Sequence, residues 1–459
     1  MIYTEDAYNR LLADLYTRHP SVQNTGFTTG AYKPGLAGME RFDAALGHPA
    51  RQFRSIHVAG TNGKGSVCSM LAAALSAAGL RVGLYTSPHL VDFRERIKLV
   101  EPGGWSMIPR EEVFAFLTEQ DFDGLSFFEI TTGLAFWWFA RQEVDIAVIE
   151  VGLGGRLDST NILTPELAVV TSIGLDHCAL LGNTRGAVAA EKAGIFKPGV
   201  PALCGERDDE TAPVFEARAS VVPCPLFYAE DFDVELFDTD LTGPCQGANL
   251  RTALAALQLL GIDPDRDALA HTAARTGLRG RWETLVVGDA ELIFDIGHNP
   301  PALEENFARL EVERGATEVG GGCDPASVAS GDSIAAAPAK LPLTIVYGVM
   351  ADKDLASISH LMPADADYVL VAPATSRAMP AATLGEHLAS LRPDIFARAG
   401  GVKVVPDVAA GVRLALSGTS PDAFHGASRN FRRIIYIGGS TFVVSEAIEH
   451  LEMTNKWEQ

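Results

Sequence analysis

Closely spaced cysteine pairs are missing from this chain of 459 residues: its six cysteines, at 68, 178, 204, 224, 245 and 323, form no CxxC unit. Neither a zinc ribbon nor a dithiol redox motif is indicated, and reduced, mostly buried thiols are expected. Positive charge is scarce as well. A formal net charge of −21 argues against a nucleic-acid binder, because phosphate backbones are held by basic surfaces. Anionic substrates would need local cations strong enough to overcome that field. Long apolar runs are also lacking: the most apolar stretch, 127–140, is too short to span a bilayer and carries Glu129. The opening residues, MIYTEDAYNR, show no basic segment followed by an apolar run. No signal peptide, no membrane association and a cytoplasmic protein are therefore expected.

Hydrophobic residues at 47% and charged residues at 21% suit an ordinary globular protein. The length exceeds what a single hydrophobic core usually supports, so two domains are expected. Short β-branched runs alternate with helical patterns from residue 54 onward, the signature of an α/β protein with a largely parallel sheet. In the first half the spacing predicts strands at 55–59, 81–86, 145–151 and 168–173, with helices at 67–78 and 127–141; Gly79 closes the first helix. The alternation restarts after Arg281, with strands at 291–296, 343–348, 368–372, 403–405 and 433–437 and a helix from Ala302. Gly288 and Asp289 interrupt the pattern, which places the boundary near 283–290. The expected layout is a P-loop-containing parallel-sheet domain over 1–285 and a smaller Rossmann-like α/β domain over 290–459. Within the latter, 315–338 is rich in Gly, Ala and Ser without apolar periodicity and reads as a mobile surface insertion.

The strongest local signal is Gly60-Thr61-Asn62-Gly63-Lys64-Gly65-Ser66, between a predicted strand and a predicted helix. Glycines let backbone N–H groups approach phosphate oxygens, the helix presents its positive end, and a lysine neutralises the outer phosphates. Gly65 stands between Lys64 and the hydroxyl of Ser66, so the match to the common P-loop is imperfect. Glu150 ends the apolar run DIAVIE, where a carboxylate is costly unless it meets a cation. Parallel strands of such folds bind ligands at their carboxyl ends.

GTNGKGS is followed by TSPHL at 86–90 and RERI at 94–97, then by FFE at 127–129, EVGLGGRLDSTN at 150–161 and GLDH at 174–177. EKAGIFKPG at 191–199, GRWE at 280–283, DIGHNP at 295–300, GVMADKD at 348–354 and GGSTFVVSE at 438–446 complete the series. This ordered set resembles the folylpolyglutamate and dihydrofolate synthases, relatives of the Mur ligases. The resemblance implies an ATP-dependent ligase joining L-glutamate to dihydropteroate or tetrahydrofolate through an acyl phosphate, acting as a monomer on small molecules.

It further implies that Asn249, Arg281 and Asp295 join residues 60–66 at ATP, and that His298 approaches the reaction centre. Ser87 and Glu150 become ligands of one magnesium ion and His177 of a second. Lys192 becomes a carbamylated lysine, and Lys64, Lys192 and His298 the catalytic side chains. Glu40, Arg41, Phe42, Asp43, Phe127, Phe128, Glu129, Leu157, Asp158 and Ser159 become the pteroate site. An aromatic pair can stack on a flat heterocycle while carboxylates accept from its amino groups. The 127–140 segment is nonetheless chiefly an apolar helix, and Phe127 has an alternative reading as core. Likewise Asp295 has an alternative as a helix cap. Asp158, as a polar contact to one substrate pose, is expected to matter more for dihydropteroate than for tetrahydrofolate. A hinge near 283–290 follows if both domains grip ATP.

Three other readings remain open on sequence. A Mur-type amino-acid ligase is disfavoured by the motifs near 40 and 127. A P-loop kinase or switch NTPase is disfavoured by the lack of a strict GxxxxGK[ST]. A nucleotide or folate sensor without catalysis is disfavoured by the presence of a candidate for every catalytic role.

Overall fold

A computed structural model describes residues 2–22, 26, 33–315, 340–398, 400–417 and 432–454. Apart from Gly315, the segment 315–338 lies outside them. The chain divides by compactness into Met1–Arg279 and Gly280–Gln459.

In the first unit eight strands form one sheet: β1 (Arg54–Ala59), β2 (Val82–Tyr85), β3 (Ile97–Glu101), β4 (Gly104–Met107), β5 (Ile146–Glu150), β6 (Leu167–Val170), β7 (Ala202–Cys204) and β8 (Leu226–Tyr228). Their order is β4-β3-β2-β5-β1-β6-β7-β8. All pairings are parallel except those of the β3–β4 hairpin. β1 sits between β5 and β6, and the chain leaves it first to one side and later to the other. This is the topology that opens a crevice beyond the strand ends. Because β5 and all of β1 after Arg54 are buried, their side chains are mostly apolar, with Arg54, Ser55, His57 and Glu150 the exceptions.

One face is covered by the helix Phe127–Arg141, whose Phe136 and Phe139 belong to a core with Tyr85 and Ile149. The helix Lys64–Ala77 covers the other, and every residue from Gly65 to Ser76 is buried. A helix apolar on all sides must be enclosed, and the helix Gln246–Leu260 encloses this one.

The second unit holds β9 (Arg281–Val287), β10 (Ala290–Asp295), β11 (Leu343–Tyr347), β12 (Asp367–Leu370), β13 (Val402–Val404) and β14 (Arg433–Gly438) in the order β13-β12-β11-β14-β10-β9. Only β9 runs antiparallel to its neighbour. The fold is thus α/β with two parallel-dominated sheets.

Three sequence expectations change. Gly288 and Asp289 are the turn of the β9–β10 hairpin rather than a linker, so the interruption read as a domain boundary is a reversal within one sheet. The strand expected at 168–173 stops at Val170, since the backbone of the next residues bonds to the glycine loop instead. The helix expected from Val67 starts at Lys64. None of the five described cysteines is in a disulfide; Cys68 and Cys204 are buried, while Cys178, Cys224 and Cys245 are partly exposed. Among the described residues no helix is long and apolar enough to cross a membrane.

Candidate active site

The glycine loop is held by hydrogen bonds to the segment that follows β6. Thr61 N donates to Ser172 O at 2.7 Å, Thr61 Oγ1 donates to Gly174 O at 3.0 Å, and Thr171 Oγ1 donates to Asn62 O at 2.6 Å. Gly60 has φ +151° and Gly63, the N-cap of the helix, has φ +82°. A Cβ on Gly60 would stand 1.8 Å from Thr171 Oγ1, and one on Gly63 would stand 2.2 Å from Asn249 Oδ1. Both glycines are therefore required by conformation and by space. Asn249, distant in sequence, arrives at the loop because the helix Gln246–Leu260 begins there: Asn249 Nδ2 donates to Gln246 Oε1 at 3.0 Å, and Gln246 Nε2 donates to Ser66 Oγ at 3.3 Å.

Two amines converge on the same carbonyl. Lys64 Nζ donates to Gly60 O at 3.0 Å and Thr61 O at 3.1 Å, while Lys192 Nζ donates to Gly60 O at 2.7 Å. Lys192 is buried, and desolvation, aided by the Lys64 charge, lowers its pKa to about 7; Asp176 and Asp158 pull the other way. With His177, Asp176 and Leu153 the two lysines line a cavity of about 40 Å³. His177 adopts φ +52°, and Asp176 Oδ1 accepts from its backbone N–H at 2.9 Å. Asp176 was overlooked in the sequence, although GLDH places it beside a candidate metal ligand.

Ser87 and Glu150 lie side by side. Glu150, only 2% exposed, accepts from Ser87 N at 2.9 Å, because β2 and β5 are neighbours whose carboxyl ends align.

The pteroate candidates divide. Glu40 and Arg41 are exposed, and Phe128 and Leu157 half-buried. Phe42 is a core residue, its ring packed edge-on against Phe116 and Phe122 at 6.1 and 6.0 Å. Asp43 accepts from Ala50 N and His48 Nδ1, each at 3.0 Å, and so closes the turn after its helix. Phe127 is buried, stacked on Tyr16 at 5.3 Å with the Arg96 guanidinium 5.4 Å above its ring. Glu129 accepts from Ser126 N at 2.7 Å and Oγ at 2.8 Å, completing a capping box at the start of Phe127–Arg141.

Asp158 and Ser159 are buried as well. The Asp158 carboxylate accepts from Leu153 N at 2.9 Å, Thr160 N at 3.0 Å and Thr160 Oγ1. These bonds engage both oxygens of the carboxylate. In the structure Phe42 and Phe127 pack in the core, and Asp43, Glu129 and Asp158 each hold a local turn or helix start.

In the second unit Asp295 ends β10 at a bulge that leaves Trp282 outside the register. Trp282 takes φ +56°, an uncommon conformation for so bulky a residue. Its amide donates to Asp295 Oδ2 at 3.0 Å, while Gly297 N and Asn306 Nδ2 donate to Oδ1 at 2.7 Å. Burial raises the Asp295 pKa, opposed by Arg281 and these bonds. The Nε of Arg281 is buried without a hydrogen-bond partner among the described residues. His298 is half-buried with Nδ1 2.9 Å from Ile296 O. The helix Pro300–Gly315 is capped by Asn299, whose Oδ1 accepts from Ala302 N at 3.1 Å, so Asp295 is not the cap.

A glycine loop at a helix N-terminus, a lysine beside it and a carboxylate on the adjoining strand define a P-loop nucleotide-handling α/β protein. No protein-family model matches the sequence. The folylpolyglutamate synthase of Lacticaseibacillus casei is 32% identical over 372 residues, spanning 74% of this chain and 81% of that protein. Escherichia coli FolC, solved in complex with DHPP and ADP, superposes with a TM-score of 0.76 at 28% identity over 98% of both chains. The bifunctional folylpolyglutamate synthase/dihydrofolate synthase of Yersinia pestis, solved with AMPPNP and Mn ion, gives 0.74 at 26% identity, covering 98% of this chain and all of that one. This chain belongs to the folylpolyglutamate synthase/dihydrofolate synthase family.

Proposed function

We propose that the protein is an ATP-dependent carboxylate–amine ligase that joins L-glutamate to dihydropteroate, tetrahydrofolate or both, acting as a monomer in the cytoplasm on small molecules and not on nucleic acid. The observation that carries this reading is the convergence of Lys64 and Lys192 on Gly60 O, beside His177, in a member of this family. In the reaction the acceptor carboxylate attacks the γ-phosphate of ATP and ADP departs. The α-amino group of glutamate then attacks the acyl phosphate, and the tetrahedral adduct collapses with loss of phosphate.

Residues 60–66 would hold the ATP phosphates through backbone N–H groups and the Lys64 ammonium. Asn249, seated against Gly63, belongs to the same grip. Arg281, with a donor to spare, and Asp295 are the second unit's contribution to ATP, and His298 approaches the reacting carboxyl. Met1–Arg279 is thereby the ATP- and pteroate-binding portion and Gly280–Gln459 the glutamate-ligase portion.

The donor set fits magnesium: Ser87 and the buried Glu150 offer hard oxygen to one ion, and His177 serves a second. Magnesium, when bound, neutralises the anions that phosphoryl transfer brings together. Lys192 fits carbamylation, since a lysine near neutrality can attack carbon dioxide as the free amine and release a proton.

Incubation with ATP, magnesium, L-glutamate and either dihydropteroate or tetrahydrofolate is expected to yield ADP and ligated product in equal amounts. Glutamate-independent ATP turnover without product would overturn the reading. Asp158→Ala follows from the revised role of that carboxylate. With its bonds spent on residues 153–160, the variant is expected to lose about tenfold or more in kcat/KM on both acceptors alike, as one charged hydrogen-bonding group disappears. A loss confined to dihydropteroate would restore Asp158 as a substrate contact.

A further inference from the structure

One buried titratable side chain has no part in the ligation chemistry. His57 is fully buried on β1, three residues before Gly60. Its Nε2 lies 2.8 Å from Thr160 Oγ1. That hydroxyl in turn contacts Asp158 Oδ1, and the other oxygen of the carboxylate accepts from Leu153 N at 2.9 Å.

The direction of the chain follows from proton count. A hydroxyl carries one proton, and with Asp158 ionised that proton goes to the carboxylate. The imidazole must then donate from Nε2, which leaves Nδ1 a bare acceptor. Nδ1 is indeed buried with no hydrogen-bond partner among the described residues. Burial, helped by the Lys197 charge, lowers the His57 pKa to about 3, so the ring stays neutral. Lys197 itself is committed to Asn161 O at 2.8 Å.

The two ends of the chain lie on very different supports. His57 pairs with Ile149 of β5 and Ala168 of β6 at the centre of the sheet. Leu153 lies on the loop that lines the cavity with Lys64 and Lys192. Unlike an apolar pair, which would pack here without an unpaired nitrogen, the polar relay fixes direction as well as distance.

We propose that His57 and Thr160 are positioning residues: through Asp158 they tie the 152–155 loop to the centre of the sheet, and so set the wall of the reaction cavity against which the acceptor substrate is placed. That this wall places the acceptor rests on the ligase reading; the relay itself does not.

Thr160→Val removes the hydroxyl at nearly constant shape, and Thr160→Ser returns it. Thr160→Val is expected to raise KM for dihydropteroate or tetrahydrofolate about tenfold and leave KM for ATP within about twofold, the loss of one hydrogen bond to a charged group. Thr160→Ser is expected to restore the parental values. Parental KM values in the valine variant, an equal rise for ATP, or failure of serine to restore would each overturn the proposal. Hydrogen exchange at the Leu153 amide, measured on ligand-free protein, reads the relay without activity: faster exchange in Thr160→Val supports it and unchanged exchange overturns it. A parent that forms no ligated product would sink the ligase reading while leaving this exchange test standing. Should Thr160→Val fail to fold, His57→Phe, which keeps an aromatic ring and removes the donor, carries the same expectations for KM and exchange.

Discussion

Lys64→Ala is expected to lower kcat by about 10²–10³-fold, the usual loss when one preorganised group facing developing charge is removed. The side chain is half-buried at the helix N-terminus and, among the described residues, bonded only to loop carbonyls of Gly60 and Thr61, so no core is opened. Thermal stability should therefore stay close to the parent's, as it does for most substitutions outside the core. A second effect compounds the first. The Lys64 charge helps to hold the Lys192 pKa down, and its removal lets that pKa rise, so less of the neighbouring amine is neutral at a given pH. Lys64→Arg keeps the charge but replaces a compact ammonium with a planar fork. It should repair the Lys192 titration without repairing the turnover. Parental kcat in Lys64→Ala, measured at saturating ATP with the melting temperature as a control for folding, would remove the nucleotide-site assignment.

The sequence made the glycine loop, Asn249, Ser87 and Glu150 legible because each belongs to a run whose order is itself informative, and in the first unit the structure seats Asn249 against the loop and Ser87 against Glu150. The two principal parallel cores were legible for a different reason: strands buried on both faces read as continuous apolar runs. What could not be read was which buried polar groups are spent locally. Ser126-x-x-Glu129 is a capping-box signature, yet the resemblance directed Glu129 to the substrate, and only the contacts with Ser126 show that its Oε2 turns back on the helix start. Phe127 had been open to either reading, and its stacking on Tyr16 depends on a helix more than a hundred residues upstream. The hairpin β3–β4 was missed because its strands are short and β4 is largely exposed. β9 was missed because its polar alternation marks an edge strand and not a core one. The bulge at Trp282 has no sequence signature either, since glycine is the residue expected at such a φ.

Lys192→Met is expected to fold and to lose at least about 10²-fold in kcat, because a thioether of similar length fills the same buried space but can carry no charge supporting phosphoryl transfer. The parent offers a sharper test through pH. With a folded-state pKa of about 7 against an ordinary 10.5, the unmodified lysine binds fewer protons in the native state than in the unfolded chain between those values. Stability of carbon-dioxide-free protein should therefore climb as pH rises from about 7 toward about 10.5, and this contribution should be flat below 7. The chemistry follows the same titration. Carbamylation requires the neutral amine, forms an N–C bond and releases one proton. At equal dissolved carbon dioxide, protein stripped of it should regain activity about tenfold faster at pH 8 than at pH 6, the ratio of neutral amine expected for a pKa near 7. Labelled carbon dioxide should appear as one carbamate carbon resonance in the parent and be absent from Lys192→Met. Recovery at the same rate at both pH values, or full activity in protein kept free of carbon dioxide, would mean that Lys192 works as the amine it is and not as a carboxylate.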